Sequence, residues 1–340
     1  MSEINLLMIG GVPDDNMVEV RSWRQGGIDL LFDGNVTADA VQRDPRINPI
    51  HLVLGGSSAA RELNLQRRPD VAFNLICNAE SSMRALNSAA SICKKLEADG
   101  IPVLNPPDRV RETTRTASLA FFSGLDKVRV PVVRKLNSPT TRELVALLNS
   151  GEIDFPVIVR TINDHNGRDM IRLRGAEDFD GLEQLPFDGR DFYVIAFSDY
   201  KNSDGLYRKY RLIKVGRNIL PRHLIISEDW KIHVAQRNED VNFSSEARAR
   251  EDAYLANPRS CLGGALYDQL VMALERTGLD YVGVDFGLYD DGSAVLFECN
   301  ACTNAATLSP RSGEPAKRAT VKRKIEAAFY ECVREAAQLE

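Results

Sequence analysis

No apolar run in the 340-residue sequence approaches the ~20 residues needed to span a bilayer, and Met1-Ser2-Glu3-Ile4-Asn5 lacks a basic stretch leading into an apolar one. A cytoplasmic protein without a membrane partner is expected. Basic charge is also short: 43 lysines and arginines stand against 48 aspartates and glutamates, a formal net charge of −5. Without a global positive field nothing holds a polyphosphate backbone, so nucleic acid is not an expected partner and any bound phosphate should be small and held locally. The six cysteines, at 77, 93, 261, 299, 302 and 332, are scattered without the spacing of a disulfide framework and are read as reduced thiols. Cys299-x-x-Cys302 has no second CxxC or CxxH to complete a zinc site, and is read as chance spacing. There is no internal repeat and no low-complexity tract. With 44% apolar and 27% charged residues the chain can bury a large core, and its length suggests about two domains.

The first hundred residues alternate short apolar runs with polar segments: Ile4 to Ile9, Ile28 to Phe32, His51 to Leu54, Val71 to Ile76 and Ile101 to Leu104. Between the last two, Ser82 to Asp99 carries Leu86, Ala89, Ala90, Cys93 and Leu96 at helical spacing. Strand and helix in turn imply a parallel α/β layer. Gly10-Gly11 and Gly55-Gly56-Ser57-Ser58 follow strands and could cradle a phosphate, but neither forms a GxGxxG or Walker loop, and both are read as ordinary tight turns. Asn105-Pro106-Pro107 ends the pattern, which places a boundary near residue 107. A smaller α+β segment is expected over 108–190, with a helix at Thr113 to Gly124, strands at Val130 to Arg134, Pro156 to Arg160 and Met170 to Leu173, a helix at Thr140 to Asn149, and a turn at Asn163-Asp164-His165-Asn166-Gly167. A larger segment over 191–340 begins with strands at Phe192 to Phe197, Tyr207 to Val215 and Ile219 to Ile226. It continues with helices at Ser245 to Ala256 and Leu262 to Thr277, a hairpin at Tyr281 to Asn300 and a helix at Ala316 to Ala337.

The hairpin is the most informative segment. Asp291-Gly292 suits the centre of a two-residue type I′ turn, a register that sets Asp285 directly opposite Glu298. Asn300, two residues on, points to the same side. The other face pairs Val284 with Cys299, Phe286 with Phe297 and Leu288 with Val295, all apolar or buried types. Two carboxylates ~5 Å apart across strands repel one another unless something offsets the charge. A hard divalent ion such as Mg²⁺ or Mn²⁺ would do so, with Asn300 as a third oxygen donor. A shared proton or a nearby arginine would do so too.

Asp285, followed thirteen residues later by Glu298-x-Asn300 on the next strand, resembles the magnesium-binding signature of the ATP-grasp superfamily, which includes glutathione synthetase, D-alanine:D-alanine ligase and the ribosomal-protein glutamate ligase. The resemblance extends over residues 66 to 310. Arg68-Pro-Asp-Val-Ala-Phe-Asn74 and the Asn105-Pro106 exit are similar to the end of a pre-ATP-grasp domain. Arg115 stands where the family has its first phosphate-binding basic residue, and Phe155-Pro-Val-Ile-Val-Arg160 resembles the strand bearing the second. Tyr193-Val-Ile-Ala196-Phe197 resembles the hinge strand whose backbone meets adenine, and Tyr207-Arg-Lys-Tyr-Arg211-Leu the strand bearing the active-site arginine. The implied fold is an α/β pre-ATP-grasp domain followed by an α+β ATP-grasp fold in two subdomains.

By the same resemblance, ATP is bound by Arg115, Arg160, Ala196, Phe197, His165 and Gly167, a metal by Asp285, Glu298 and Asn300, and catalysis rests on Arg211 and Arg160. The implied reaction is ADP-forming amide or peptide bond formation between a small-molecule carboxylate and an amine, an amino acid or peptide; a homodimer is left open. The sequence departs from the family in using arginine where lysine is commoner at positions 115 and 160, and in a phosphate-covering loop with the single glycine Gly167. Arginine keeps its charge and can hold phosphate bidentately. The loop reads as a lid using His165 and Arg168, or as a plain polar turn. Lys209 alternates with Arg211 and shares its face, as either a phosphoryl contact or a solvated strand face. His233 reads as a packed histidine. Thr303, Asn304 and Ser309 could hydrogen-bond an acceptor carboxylate. An ATP-binding regulatory module and a small-molecule kinase of the same fold are the competing functions.

Overall fold

The computed structural model describes residues 3–24, 27–37, 41, 44–55, 65, 67–162, 169–232, 242, 244–303 and 316–338. The first third supplies strands β1 (Ile4–Gly11), β2 (Glu19–Arg24), β3 (Gly27–Leu31), β4 (Ile47–Leu54), β5 (Val71–Asn74) and β6 (Val103–Leu104). Four of them form a parallel sheet in the order β4-β1-β5-β6. Helix α1 (Met83–Ala98) buries Leu86, Ala89, Ala90, Cys93 and Leu96 as the periodicity required. Its first N–H groups are capped by the Asp14 carboxylate, 3.0 Å from Met83 N and 3.1 Å from Arg84 N. The segment expected as the second strand of the layer, Ile28 to Phe32, instead pairs antiparallel with β2 in a separate two-stranded ribbon, which leaves Val20 and Leu30 exposed. Gly10 and Gly11 lie inside β1 rather than in a loop beyond it. A Cβ at Gly11 would come within 2.5 Å of the Ala85 methyl, so the glycine admits the helix and cradles nothing.

Helix α2 (Pro107–Arg111) follows the Asn105-Pro106 exit, and a 3-10 helix spans Ala117–Phe122 where a longer helix from Thr113 was expected. Asn105 is not a linker residue: it is buried, and its Oδ1 accepts from the N–H groups of Asp280 and Tyr281 at 2.9 and 2.8 Å while its Nδ2 donates to the Tyr281 carbonyl. This clamp ties the first sheet to the strand that carries Asp285. Phe73, Tyr281 and Phe329 complete the junction as three rings with centroids 5.0 to 6.4 Å apart.

Strands β7 (Val128–Arg129), β8 (Val133–Leu136), β9 (Val157–Thr161), β10 (Met170–Leu173) and β11 (Phe192–Ala196) come next, with α3 (Thr141–Asn149), started by a Thr140–Glu143 capping box, between β8 and β9. A second sheet runs β10-β9-β11-β8 and is antiparallel throughout. Along β9 burial alternates: Val157 and Val159 enter the core under α3, while Ile158 and Arg160 face the other way. Since β11 pairs with β9 and β8, Phe192–Ala196 belongs to this sheet and not to the segment expected to begin at residue 191.

The third sheet contains β12 (Tyr207–Val215), β13 (Asn218–Ser227), β14 (Tyr281–Leu288) and β15 (Ala294–Asn300), ordered β13-β12-β14-β15-β7. Helices α4 (Ser245–Ala256), α5 (Pro258–Leu262), α6 (Gly264–Arg276) and α7 (Ala316–Ala336) accompany it. The single helix expected from Leu262 is split at Gly263, whose φ of +79° suits glycine. Among the described residues no helix is long and apolar enough to cross a membrane.

Candidate active site

The β14–β15 hairpin brings Asp285 opposite Glu298, but by a different route from the one expected. Of the turn residues only Gly292 has positive φ, at +75°, whereas a type I′ turn needs two. Tyr289 N donates to Ser293 O at 2.9 Å and Gly292 N to Tyr289 O at 3.1 Å, which closes a three-residue loop. That shifts the near pairs by one, so Phe286 faces Leu296 and Leu288 faces Ala294 rather than Phe297 and Val295. A bulge at Phe297 then restores the register, and Asp285–Glu298 and Val284–Cys299 stand as expected.

On the adjoining strand β12, Arg211 lies directly across from Asp285 and Lys209 across from Gly287. Arg211 grips Asp285 bidentately, through Nε to Oδ1 and through Nη2 to Oδ2 at 2.7 Å. Lys209 Nζ adds a third contact at 2.8 Å to Oδ2. Glu298 Oε2 meets Arg115 Nη2 at 3.0 Å, and its Oε1 lies 3.7 Å from Arg211 Nη2. Arg115 also donates to the Phe297 carbonyl, so the bulge that sets the register supplies one of its anchors. The carboxylate repulsion is thus offset by the protein's own cations. The Asp285 side chain is 1% exposed. Burial by itself would raise its carboxyl; Arg211 and Lys209 overcome that and hold it below the usual carboxylate range. Glu298 is likewise lowered, with burial and Asp285 opposing Arg115, Lys209 and Arg211.

Asn300 pairs with Gly283, one alternate position beyond Glu298, and its Oδ1 accepts from Cys302 N at 3.0 Å. The set of two carboxylates and one amide oxygen suits a hard divalent ion in donor type and side of the sheet. Glu298 is the member that lines open space.

That space is a cleft, partly open to solvent, between the second and third sheets. Ile158, Arg160 and Ile195 form one wall; Lys209, Val295 and Phe297 contribute to the other. Among the described residues its lining has four basic side chains, Arg115, Arg160, Lys209 and Lys231, and one carboxylate, Glu298. Strand β11 measures the cleft. At one end Tyr193 donates its hydroxyl to Glu80, whose Oε1 also accepts from Arg115 N at 3.2 Å. Burial and then the Glu80 charge push the Tyr193 phenol up, which keeps it the donor. Four residues further, ~13 Å along an extended strand, Phe197 packs edge-on against Trp230 with ring centroids 5.5 Å apart, and Arg172 lies over both rings. Ala196 N donates to Val132 O at 2.9 Å and Phe197 N to Pro156 O at 2.8 Å. The expected hinge residues therefore line the cleft without a spare N–H; the next candidate donor along the hinge is Ser198, which also lines it.

No protein-family model and no curated protein matches the sequence. In fold, the chain is similar along its whole length to D-alanyl-alanine synthetase A from Vibrio cholerae O1 biovar eltor, with a TM-score of 0.55 and 12% identity over 99% of each chain. It is similar also to VanG D-Ala:D-Ser ligase from Enterococcus faecalis, with a TM-score of 0.54 and 9% identity over 98% of this chain and 100% of that one. A third likeness, with a TM-score of 0.52 and 12% identity over all of this chain and 78% of that one, is to an ADP complex of PurK, N5-carboxyaminoimidazole ribonucleotide synthetase. The chain has the ATP-grasp fold.

Within this ATP-grasp fold, Arg115, Arg160, Ala196, Phe197 and Glu298 all line one cleft, and Arg211 and Asp285 stand immediately behind Glu298. His165, Gly167, Arg168, His233, Asn304 and Ser309 lie outside the described residues. Thr303 is buried against Gly283, with its carbonyl accepting from the Tyr281 hydroxyl at 2.7 Å, so it props β14 instead of facing an acceptor. Cys302 meets Cys77, three residues beyond β5 of the first sheet, and both are free thiols. Reasoning from sequence missed Glu80, which stands 113 residues from its partner Tyr193, and gave Lys209 no assigned part. The alternation of Lys209 with Arg211 was the available signal for the latter.

Proposed function

We propose that the protein is an ATP-dependent carboxylate–amine ligase that forms an amide or peptide bond and releases ADP and phosphate. The observation that carries this reading is one cleft that brings the ion cluster of Arg115, Lys209, Arg211, Asp285 and Glu298 together with the aromatic pair Phe197 and Trp230, Phe197 lying four residues, ~13 Å of extended chain, beyond the Tyr193 that neighbours Arg115. That spacing and polarity suit a nucleoside triphosphate. The base would rest against Phe197 and Trp230, with the Ser198 N–H and a hinge carbonyl as its hydrogen-bond partners. The phosphates would run toward Arg160 and Arg115.

A carboxylate oxygen attacks the γ-phosphorus, its bond to the β,γ-bridging oxygen breaks, and ADP leaves an acyl phosphate behind. The amine nitrogen then attacks the acyl carbon, and phosphate departs with the C–O bond as the amine loses a proton. Arg160 and Arg115 position the phosphates. Arg211, which Asp285 holds bidentately before any ligand arrives, presents its N–H groups to charge that develops on the phosphoryl group and on the tetrahedral intermediate. The chain's contribution is orientation and preorganised charge. Glu298 and Asn300, with Asp285, would hold Mg²⁺ or Mn²⁺, which when bound neutralises phosphate charge and polarises the phosphoryl oxygens. The substrates are small molecules, an amino acid or peptide among them, and a cytoplasmic site of action goes with the use of ATP.

The test is to incubate the protein with Mg²⁺, ATP and a mixed pool of amino acids and small carboxylic acids, and to separate the nucleotides. ADP and phosphate formed only when the pool is present support the proposal. AMP and pyrophosphate, or nucleotide loss independent of the pool, reject it.

A further inference from the structure

Among the described residues, two carboxylates, Asp285 and Glu298, are in direct side-chain contact with three cations, Arg115, Lys209 and Arg211, while the Glu80 carboxylate stands beside them on the Arg115 backbone N–H. All three cations are more than three-quarters buried, with side-chain exposures of 16%, 16% and 22%. They sit where ion pairs are poorly screened by solvent. Every oxygen of Asp285 is engaged: Oδ1 by Arg211, Oδ2 by both Arg211 and Lys209. The arrangement is held from outside the cluster as well. Arg115 is tied to the Phe297 carbonyl, and Lys209 crosses above Gly287, where a side chain would collide with Tyr200 and Phe297.

We infer that Lys209 and Arg211 act as resident counter-ions that close the acidic pair to free divalent cations, so that a metal ion enters only together with a nucleotide triphosphate. This rests on the ligase reading above and deepens it. A bare dication arriving at the cluster would add two positive charges where three cations already face the two carboxylates. It would also have to strip a buried carboxylate from its guanidinium, leaving that cation without a partner. A triphosphate changes both terms. It brings several negative charges of its own, and its oxygens give Lys209, Arg115 and Arg211 new partners as the carboxylates turn to the metal. Lys209 is the component suited to move, because an ammonium on a flexible stem exchanges partners without the planar fork that fixes Arg211. It is thus a positioning residue whose partner changes between the free and nucleotide-bound protein. The device prevents a metal-loaded, nucleotide-free enzyme and imposes an order of addition.

The experiment measures Mn²⁺ binding by the loss of its free-ion electron paramagnetic resonance signal, with and without a nonhydrolysable ATP analogue. The wild-type protein should bind Mn²⁺ at least 30-fold more tightly with the analogue than without it. Lys209→Met, and independently Lys209→Gln, should raise nucleotide-free Mn²⁺ affinity at least fivefold and shrink the difference made by the analogue. Circular dichroism establishes that each variant is folded. Wild-type protein that binds Mn²⁺ equally well with and without the analogue overturns the inference and leaves the ligase reading standing. So do folded Lys209 variants with unchanged nucleotide-free affinity. Failure of the analogue itself to bind overturns the ligase reading and the inference together.

Discussion

The second sheet offers the cleft Ile158, Arg160 and Ile195, an apolar wall with one cation, while the third sheet carries Lys209, Arg211, Asp285 and Glu298 on three adjacent strands. The first wall is mainly a surface of apolar side chains for a ligand to lie against. On the second, each member is the counter-charge of its neighbour, so binding, catalysis and folding are coupled there. The contrast separates residues that hold a ligand from residues that must be arranged before any ligand arrives.

The sharpest way to break the comparison is Asp285→Asn. It should lower kcat on the order of a thousandfold. Because Arg211 and Lys209 then share a neutral amide in a buried setting, it should also cost ~3 kcal/mol of stability in urea denaturation. A stable but inactive variant would confine the cluster to chemistry. Next in size, Arg211→Lys should reduce kcat about 100-fold while KM for ATP stays within about threefold, since lysine cannot reproduce the bidentate fork. Arg160→Met, on the other wall, should raise KM for ATP roughly tenfold with a much smaller change in kcat, and should weaken AMP binding far less than ATP binding. Trp230→Ala should weaken ATP, ADP and AMP alike, by about fivefold, as expected for a contact to the base.

The smallest effect is the pH dependence of stability. Asp285 and Glu298 both titrate below the usual carboxylate range when folded. Their contribution is therefore complete above roughly pH 4 and is lost as the pH falls further, through the depressed folded values. Melting curves between pH 7 and 3 should show Asp285→Asn with a shallower loss on the acid side than the wild type.

Much of this contrast was legible in the sequence, and the exceptions have physical causes. The acidic pair was found because a hairpin places opposed residues predictably, yet the turn was one residue longer than expected and the bulge at Phe297 compensated. Turn type depends on φ at Asp291, which composition does not determine. The strand carrying Ala196 was recognised, but its membership in the second sheet rests on pairing with β9 and β8, a long-range choice that local pattern does not encode. Lys209 was ambiguous because alternation gives a face and not what covers it. Glu80 was invisible because its contact with Tyr193 joins residues 113 apart in sequence, which local pattern does not encode.

The central claim is that a substrate carboxylate, not water or a hydroxyl, receives the phosphoryl group. Turnover of ATP with a pool of amino acids and acids labelled with ¹⁸O in their carboxyl groups, followed by mass spectrometry of the released phosphate, tests it directly. The account predicts one labelled oxygen in each phosphate formed alongside ADP. Unlabelled phosphate under conditions where ATP is consumed would contradict it.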